Sequence, residues 1–103
     1  MSNIRKGTIT SFYYGAEEAA DDPCTVAMNG TSIAVTYYDP YAEKDVTYKG
    51  NAKGAGHYEV ARDDGEGQGT FHCFENSEFI EGYWTEGGEG GMWAIKIKKD
   101  SPA

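Results

Sequence analysis

The chain has 103 residues, 39% of them hydrophobic and 14% aromatic, with a net charge of −8 and a pI near 4.6. That length makes one domain, residues 1–103, with a modest core, and the aromatic content excludes a disordered composition. The acidic balance argues against nucleic acid and anionic membrane as partners, and no apolar run approaches the roughly 18 residues that a transmembrane helix needs.

Fourteen glycines against three prolines, with eight Tyr, four Phe and two Trp, suggest many turns between short strands. The charge is uneven. Arg5, Lys6, Lys96, Lys98 and Lys99 sit at the two ends, while residues 7–95 hold 16 acidic and 4 basic residues. If the first and last strands pair, these cations form one stripe that deters edge-to-edge aggregation. Met1–Thr10 has no apolar signal-peptide core, so the expectation is a cytoplasmic protein.

In chain order, residues 5–14 (RKGTITSFYY) read as the first strand, its inward face undecided. Gly15–Pro23 reads as a polar loop with room for one helical turn at Ala16–Ala20. Cys24–Met28, Asn29-Gly30 and Thr31–Tyr38 form a hairpin, since Asn-Gly suits the two positive φ angles of a type I′ turn. That turn pairs Met28 with Thr31, Val26 with Ile33 and Cys24 with Val35, placing the apolar positions on one face. Asp39-Pro40-Tyr41 is a turn and Asp45–Gly50 a strand, with Tyr37, Val46 and Tyr48 inward. Asn51–Gly56 is a glycine-rich loop. His57–Arg62 alternates, Tyr58 and Val60 in, His57 and Glu59 out.

Asp63–Gly69 reads as an acidic hairpin loop rather than a calcium site, because its ligands lack alternate spacing and a distant bidentate Glu. From Phe71 to Ile97 three alternating runs follow. A turn at Asn76-Ser77 pairs Phe74 with Phe79, Cys73 with Ile80, His72 with Glu81 and Phe71 with Gly82. A loop at Gly87–Gly90 then sets Trp84 opposite Trp93, Glu81 opposite Lys96 and Ile80 opposite Ile97. The inner face carries Phe71, Cys73, Ile80, Gly82, Trp84, Trp93, Ile95 and Ile97. The outer face carries His72, Phe74, Phe79, Glu81, Tyr83 and Lys96.

About eight strands joined by short connections, with no crossover helix, make an all-β antiparallel up-and-down meander. With no helix to cover one apolar face, closure into a small barrel is the economical solution. The Glu81-Gly82-Tyr83-Trp84 and Gly91-Met92-Trp93-Ala94-Ile95 strands resemble the paired Trp-bearing strands of the calycin-like barrels: avidin-like, lipocalin-like and fatty-acid-binding proteins. The resemblance implies a small-molecule-binding barrel. The first strand lacks the lipocalin Gly-x-Trp, and no biotin-site motif carries over.

Chemistry-bearing motifs are sparse. There is no HxxxH or CxxC, so neither a dedicated metal site nor a cofactor is expected. Cys24 and Cys73 read as free thiols, and GGEGG at Gly87–Gly91 as a hairpin tip. His72 beside Glu81 is the one candidate acid–base pair, and the weakest of three functional readings. The first reading is a non-enzymatic barrel whose interior Tyr37, Tyr48, Tyr58, Trp84 and Trp93 hold a small apolar or aromatic ligand, hydroxyls bonding and indoles stacking. The second is an interaction or structural module, a homodimer through the outer aromatics Phe74, Phe79 and Tyr83.

Overall fold

The computed structural model describes residues 3–15, 19–74 and 76–98. Eight antiparallel strands follow one another: β1 Asn3–Tyr13, β2 Ala19–Met28, β3 Ser32–Asp39, β4 Lys44–Gly54, β5 His57–Arg62, β6 Gly67–His72, β7 Phe79–Glu86 and β8 Glu89–Ile97. Each pairs with its sequence neighbour, and β1 pairs with β8, closing the barrel. No helix occurs among the described residues. The all-β meander is therefore as the alternation predicts, and closure removes both sheet edges.

β1 is inward at Gly7 and Ile9, which settles the face that its own sequence leaves open. Ile9, Val26, Val35, Val46, Tyr48, Phe71, Ile80, Trp93 and Ile95 are fully or almost fully buried, and with Tyr58, Val60, Trp84 and Ile97 they fill the interior. Cys24 is buried and Cys73 half-buried, both as free thiols.

Three strands are longer than predicted. β2 starts at Ala19, so the predicted loop over 15–23 is strand from Ala19 onward; the rest of the proposed helical turn lies outside the described residues. Pro23 is tolerated there because it pairs with Thr8 of β1, while the pairing of β2 with β3 begins only at Cys24. β4 runs through the predicted loop to Gly54, past an irregularity between Ala52 and Gly54. β6 begins at Gly67, leaving a loop of 63–66 only.

Two registers differ from the expectation, each by two residues. At the β2–β3 turn Cys24 faces Tyr37, Val26 faces Val35 and Met28 faces Ile33. Here Asn29 is not a positive-φ residue. Its Oδ1 instead accepts from the Thr31 and Ser32 amides at 3.1 and 2.9 Å, and only Gly30 has positive φ. In β7–β8 the turn is the pair Gly87-Gly88, with φ of 54° and 87° as a type I′ turn requires. Glu86 then faces Glu89, Trp84 faces Gly91, Gly82 faces Trp93 and Phe79 faces Lys96. The expected Trp84–Trp93, Glu81–Lys96 and Ile80–Ile97 pairs do not form. The His72–Glu81 pairing of β6 with β7 is as predicted, but β6 ends at His72, so Phe74 does not pair with Phe79.

Candidate functional site at the acidic mouth

The turns β1–β2, β3–β4, β5–β6 and β7–β8 all lie at one end of the barrel, and that mouth gathers most of the buried polar chemistry. Arg62 ends β5, inward by the same alternation that buries Tyr58 and Val60, with only 7% of its side chain exposed. A guanidinium so placed requires counter-charges. Its Nε donates to the Asp64 carboxylate at 3.0 Å, and its terminal nitrogen lies 3.2 Å from Asp39 and 3.5 Å from Glu86. Lys44 Nζ lies 3.5 Å from Asp64. Asp39, Arg62 and Glu86 are the last residues of β3, β5 and β7, so strand length alone brings them together.

The carboxylates are themselves held. Asp39 Oδ1 accepts from the amides of Tyr41 and Ala42 at 2.8 and 3.3 Å, and Asp64 Oδ1 accepts from the Glu66 amide at 3.0 Å. That backbone bond, followed by Arg62 and Lys44, holds the Asp64 carboxyl below its usual range despite some desolvation. Burial alone would lower the Arg62 pKa, but Asp64, Glu86 and Asp39 outweigh it and raise the value.

Aromatic rings form the floor. Tyr48 is fully buried, and its hydroxyl donates to Glu86. Tyr37 lies parallel to Tyr48 at 6.5 Å, and Tyr13 meets Trp84 edge-on at 5.0 Å. Burial first, then the Glu86 hydrogen bond, pushes the Tyr48 phenol well above its ordinary value. Burial with Glu86 and Asp39 does the same for Tyr37. Burial, then Tyr41 and the carboxylates of Glu86, Glu89 and Asp39, raises Tyr13. At Tyr37 and Tyr48 the carboxylates outweigh the opposing effect of the Arg62 guanidinium.

Of the five residues proposed to line the interior, Tyr48, Tyr58, Trp84 and Trp93 are buried and Tyr37 is half-buried at the mouth. Trp93 stacks on Phe71 at 4.6 Å and meets Tyr48 edge-on at 4.8 Å. The indole donors are committed to the wall: Trp93 Nε1 to the Thr70 carbonyl at 2.8 Å and Trp84 Nε1 to the Met92 carbonyl at 3.2 Å. Among the described residues no buried side-chain polar atom lacks a partner. A rim depression of about 450 Å³ lies at the acidic end, lined by Tyr14, Glu66, Gln68, Thr85, Glu86 and Glu89 among others.

On the outer wall, His72 hydrogen-bonds to His57, not to Glu81, its neighbour on β7. Phe12, Met92 and Tyr83 are directly paired across β1, β8 and β7 and are 47%, 47% and 51% exposed. Phe79 is comparably exposed, while Phe74 lies beyond the end of β6. Sequence reasoning missed Arg62, although its inward phase and the following Asp63-Asp64 were available as signals. It also missed Phe12 and Met92, which join Tyr83 only through the β1–β8 closure.

No protein-family model matches the chain. No curated protein matches it either.

Proposed function

We propose that the protein is a non-enzymatic, calycin-like barrel that binds a small molecule at its acidic mouth. The observation that carries this reading is the convergence of phenol rings and carboxylates on one end, above an interior already filled by side chains. Tyr37 and Tyr13 supply aromatic faces near Asp39 and Glu86, and Tyr48 and Trp84 form the floor. Tyr58 and Trp93 support that floor by packing. The adjoining rim depression, with Tyr14, Glu66, Glu86 and Glu89, has the volume of a small-ligand site. Aromatic faces in negative potential favour a cation, so the ligand class is an aromatic or apolar amine.

The test titrates a panel of aryl and alkyl amines, and their neutral alcohol counterparts, against the protein. Amines should raise Tm and change Trp emission, alcohols should not, and a Tyr14→Ala, Glu89→Gln variant should bind more weakly. A panel that leaves both signals untouched removes the reading.

A second reading, an interaction module acting as a homodimer, is favoured by the Phe12–Met92–Tyr83 row. A two-fold axis through Met92 would pack this row against the same row of a second copy, an apolar contact of aromatic and thioether side chains. Light scattering should then give a dimer that Tyr83→Glu converts to monomer. A wild type that stays monomeric at its highest soluble concentration decides against it.

A further inference from the structure

We propose that His57 and His72 form a two-imidazole chelate for a borderline divalent transition-metal ion such as Zn²⁺, Ni²⁺ or Cu²⁺, on the outer wall at the end away from the acidic mouth. His57 opens β5 and His72 closes β6, and the two are direct partners in the antiparallel register. Their neighbours Tyr58 and Phe71 are buried, so alternation sends both imidazoles outward on the same face. The backbone fixes the two positions: the Cys73 amide donates to the Gly56 carbonyl at 2.8 Å, clamping the chain just before His57 to the chain just after His72.

The rings lie 4.3 Å apart at 28°, and His72 Nε2 is 2.6 Å from His57 Nδ1. Two ring nitrogens aimed at each other in this way share one proton between two lone-pair sites. A metal ion bonds each imidazole nitrogen at about 2.0–2.1 Å. Replacing the shared proton with such an ion requires the nitrogens to part only slightly, a movement open to side chains on the outer wall. Imidazole donors suit Zn²⁺, Ni²⁺ and Cu²⁺ and not Mg²⁺. Neither ring has another hydrogen-bond partner among the described residues, so the pair gives up only its own hydrogen bond.

Glu81 stands opposite His72 on β7 and adds negative charge beside the pair. No group of three His, Cys, Asp or Glu side chains is arranged as a ready coordination sphere among the described residues. The site is therefore open: two protein nitrogens, with water in the remaining positions, binding an exchangeable ion.

The chain contains only two histidines, which makes the test direct. Calorimetric titration of the full chain with Zn²⁺ should give one saturable site, and Mg²⁺ none. Substoichiometric Cu²⁺ should broaden the ring-proton resonances of both histidines together. His57→Ala and His72→Ala should each weaken Zn²⁺ binding by at least about tenfold, the scale on which even the outer partners of metal ligands act. Cys73→Ser should bind as the wild type does. Unchanged circular dichroism would establish that the variants fold. Absence of saturable Zn²⁺ binding, undiminished binding in the two alanine variants, or loss of binding in Cys73→Ser alone overturns the proposal. The mouth plays no part in it, and amine binding there is read separately.

Discussion

Arg62 brings a full charge to a position with 7% side-chain exposure, and three carboxylates from separate segments answer it. Removing one member of such a cluster leaves the others facing like charge. Arg62→Met should therefore destabilise the fold by about 2–4 kcal/mol, read as a lower urea midpoint. Glu86→Gln keeps an acceptor for Tyr48 and removes one charge, so its cost should be smaller, about 1 kcal/mol. If Glu86→Gln proves the costlier of the two, Arg62 is not the centre of the network. The phenols give a pH dependence of definite sign. Tyr37 and Tyr48 are raised above the ordinary 10.0, and burial pushes the Cys24 thiol from 9.0 to about 11. Folded molecules thus keep protons that unfolded chains release. Stability is full below these ordinary values and falls as pH rises past them. A urea series in alkali should show the midpoint declining from about pH 9 upward. Phenolate absorbance should separate a late-titrating subset of the eight tyrosines; a single early step with constant stability would contradict this assignment.

At the scale of strands, the two tryptophans are accommodated by glycines. Trp84 faces Gly69 on one side and Gly91 on the other, and Trp93 faces Gly82. A Cβ on Gly69 would come within 2.7 Å of the Trp93 ring, and one on Gly82 would strike the Thr70 carbonyl. Large opposite small is how a narrow barrel fits its interior. Gly82→Val should accordingly cost at least about 3 kcal/mol or prevent folding. At the β7–β8 turn, Gly87→Asn should be neutral or stabilise by up to about 1 kcal/mol, since Asn accepts positive φ and restricts the unfolded chain. Thermal melts of both variants check the pair, and a stable Gly82→Val would refute the packing argument. These glycines also explain what was legible. Alternation identified the inward set, because a slip of two residues preserves every face. It could not choose between a two-residue and a four-residue turn within GGEGG, so it paired Trp with Trp. Arg62 went unrecognised because a pattern of apolar residues gives no weight to an inward charge, and two of its three partners, Asp39 and Glu86, lie on strands distant in sequence.

For the whole molecule, the decisive feature is the β1–β8 seam, where Gly7 faces Ile97 and the Lys98 amide donates to the Lys6 carbonyl at 2.9 Å. Arg5, Lys6, Lys96 and Lys98 lie at this end, opposite the carboxylate-rich mouth. Four of the five cations read from the sequence as one stripe thus gather in space, Lys99 lying outside the described residues, and they polarise the barrel from end to end. Segments at the seam run close together, so a circular permutant joining the ends through a short flexible linker and opened in the 63–66 loop should fold to the same barrel. Its circular dichroism should match that of the parent, with Tm lower by a few degrees. A permutant that is unfolded while its linker-free counterpart opened at the same loop is no worse would mean that the seam does not form as described.

The seam also sets an order in time. β1 leaves the ribosome first and its partner β8 last, so β1 spends most of synthesis as one half of a hairpin with an unclaimed edge. Loop closure over some 90 residues costs about 4 kcal/mol of chain entropy. Joining β1 to β8 is accordingly the late event that commits the molecule. During that interval Arg5 and Lys6 lie on the strand that waits, and a charged strand is a poor template for another chain. The cations that look redundant in the closed barrel have their use before it closes.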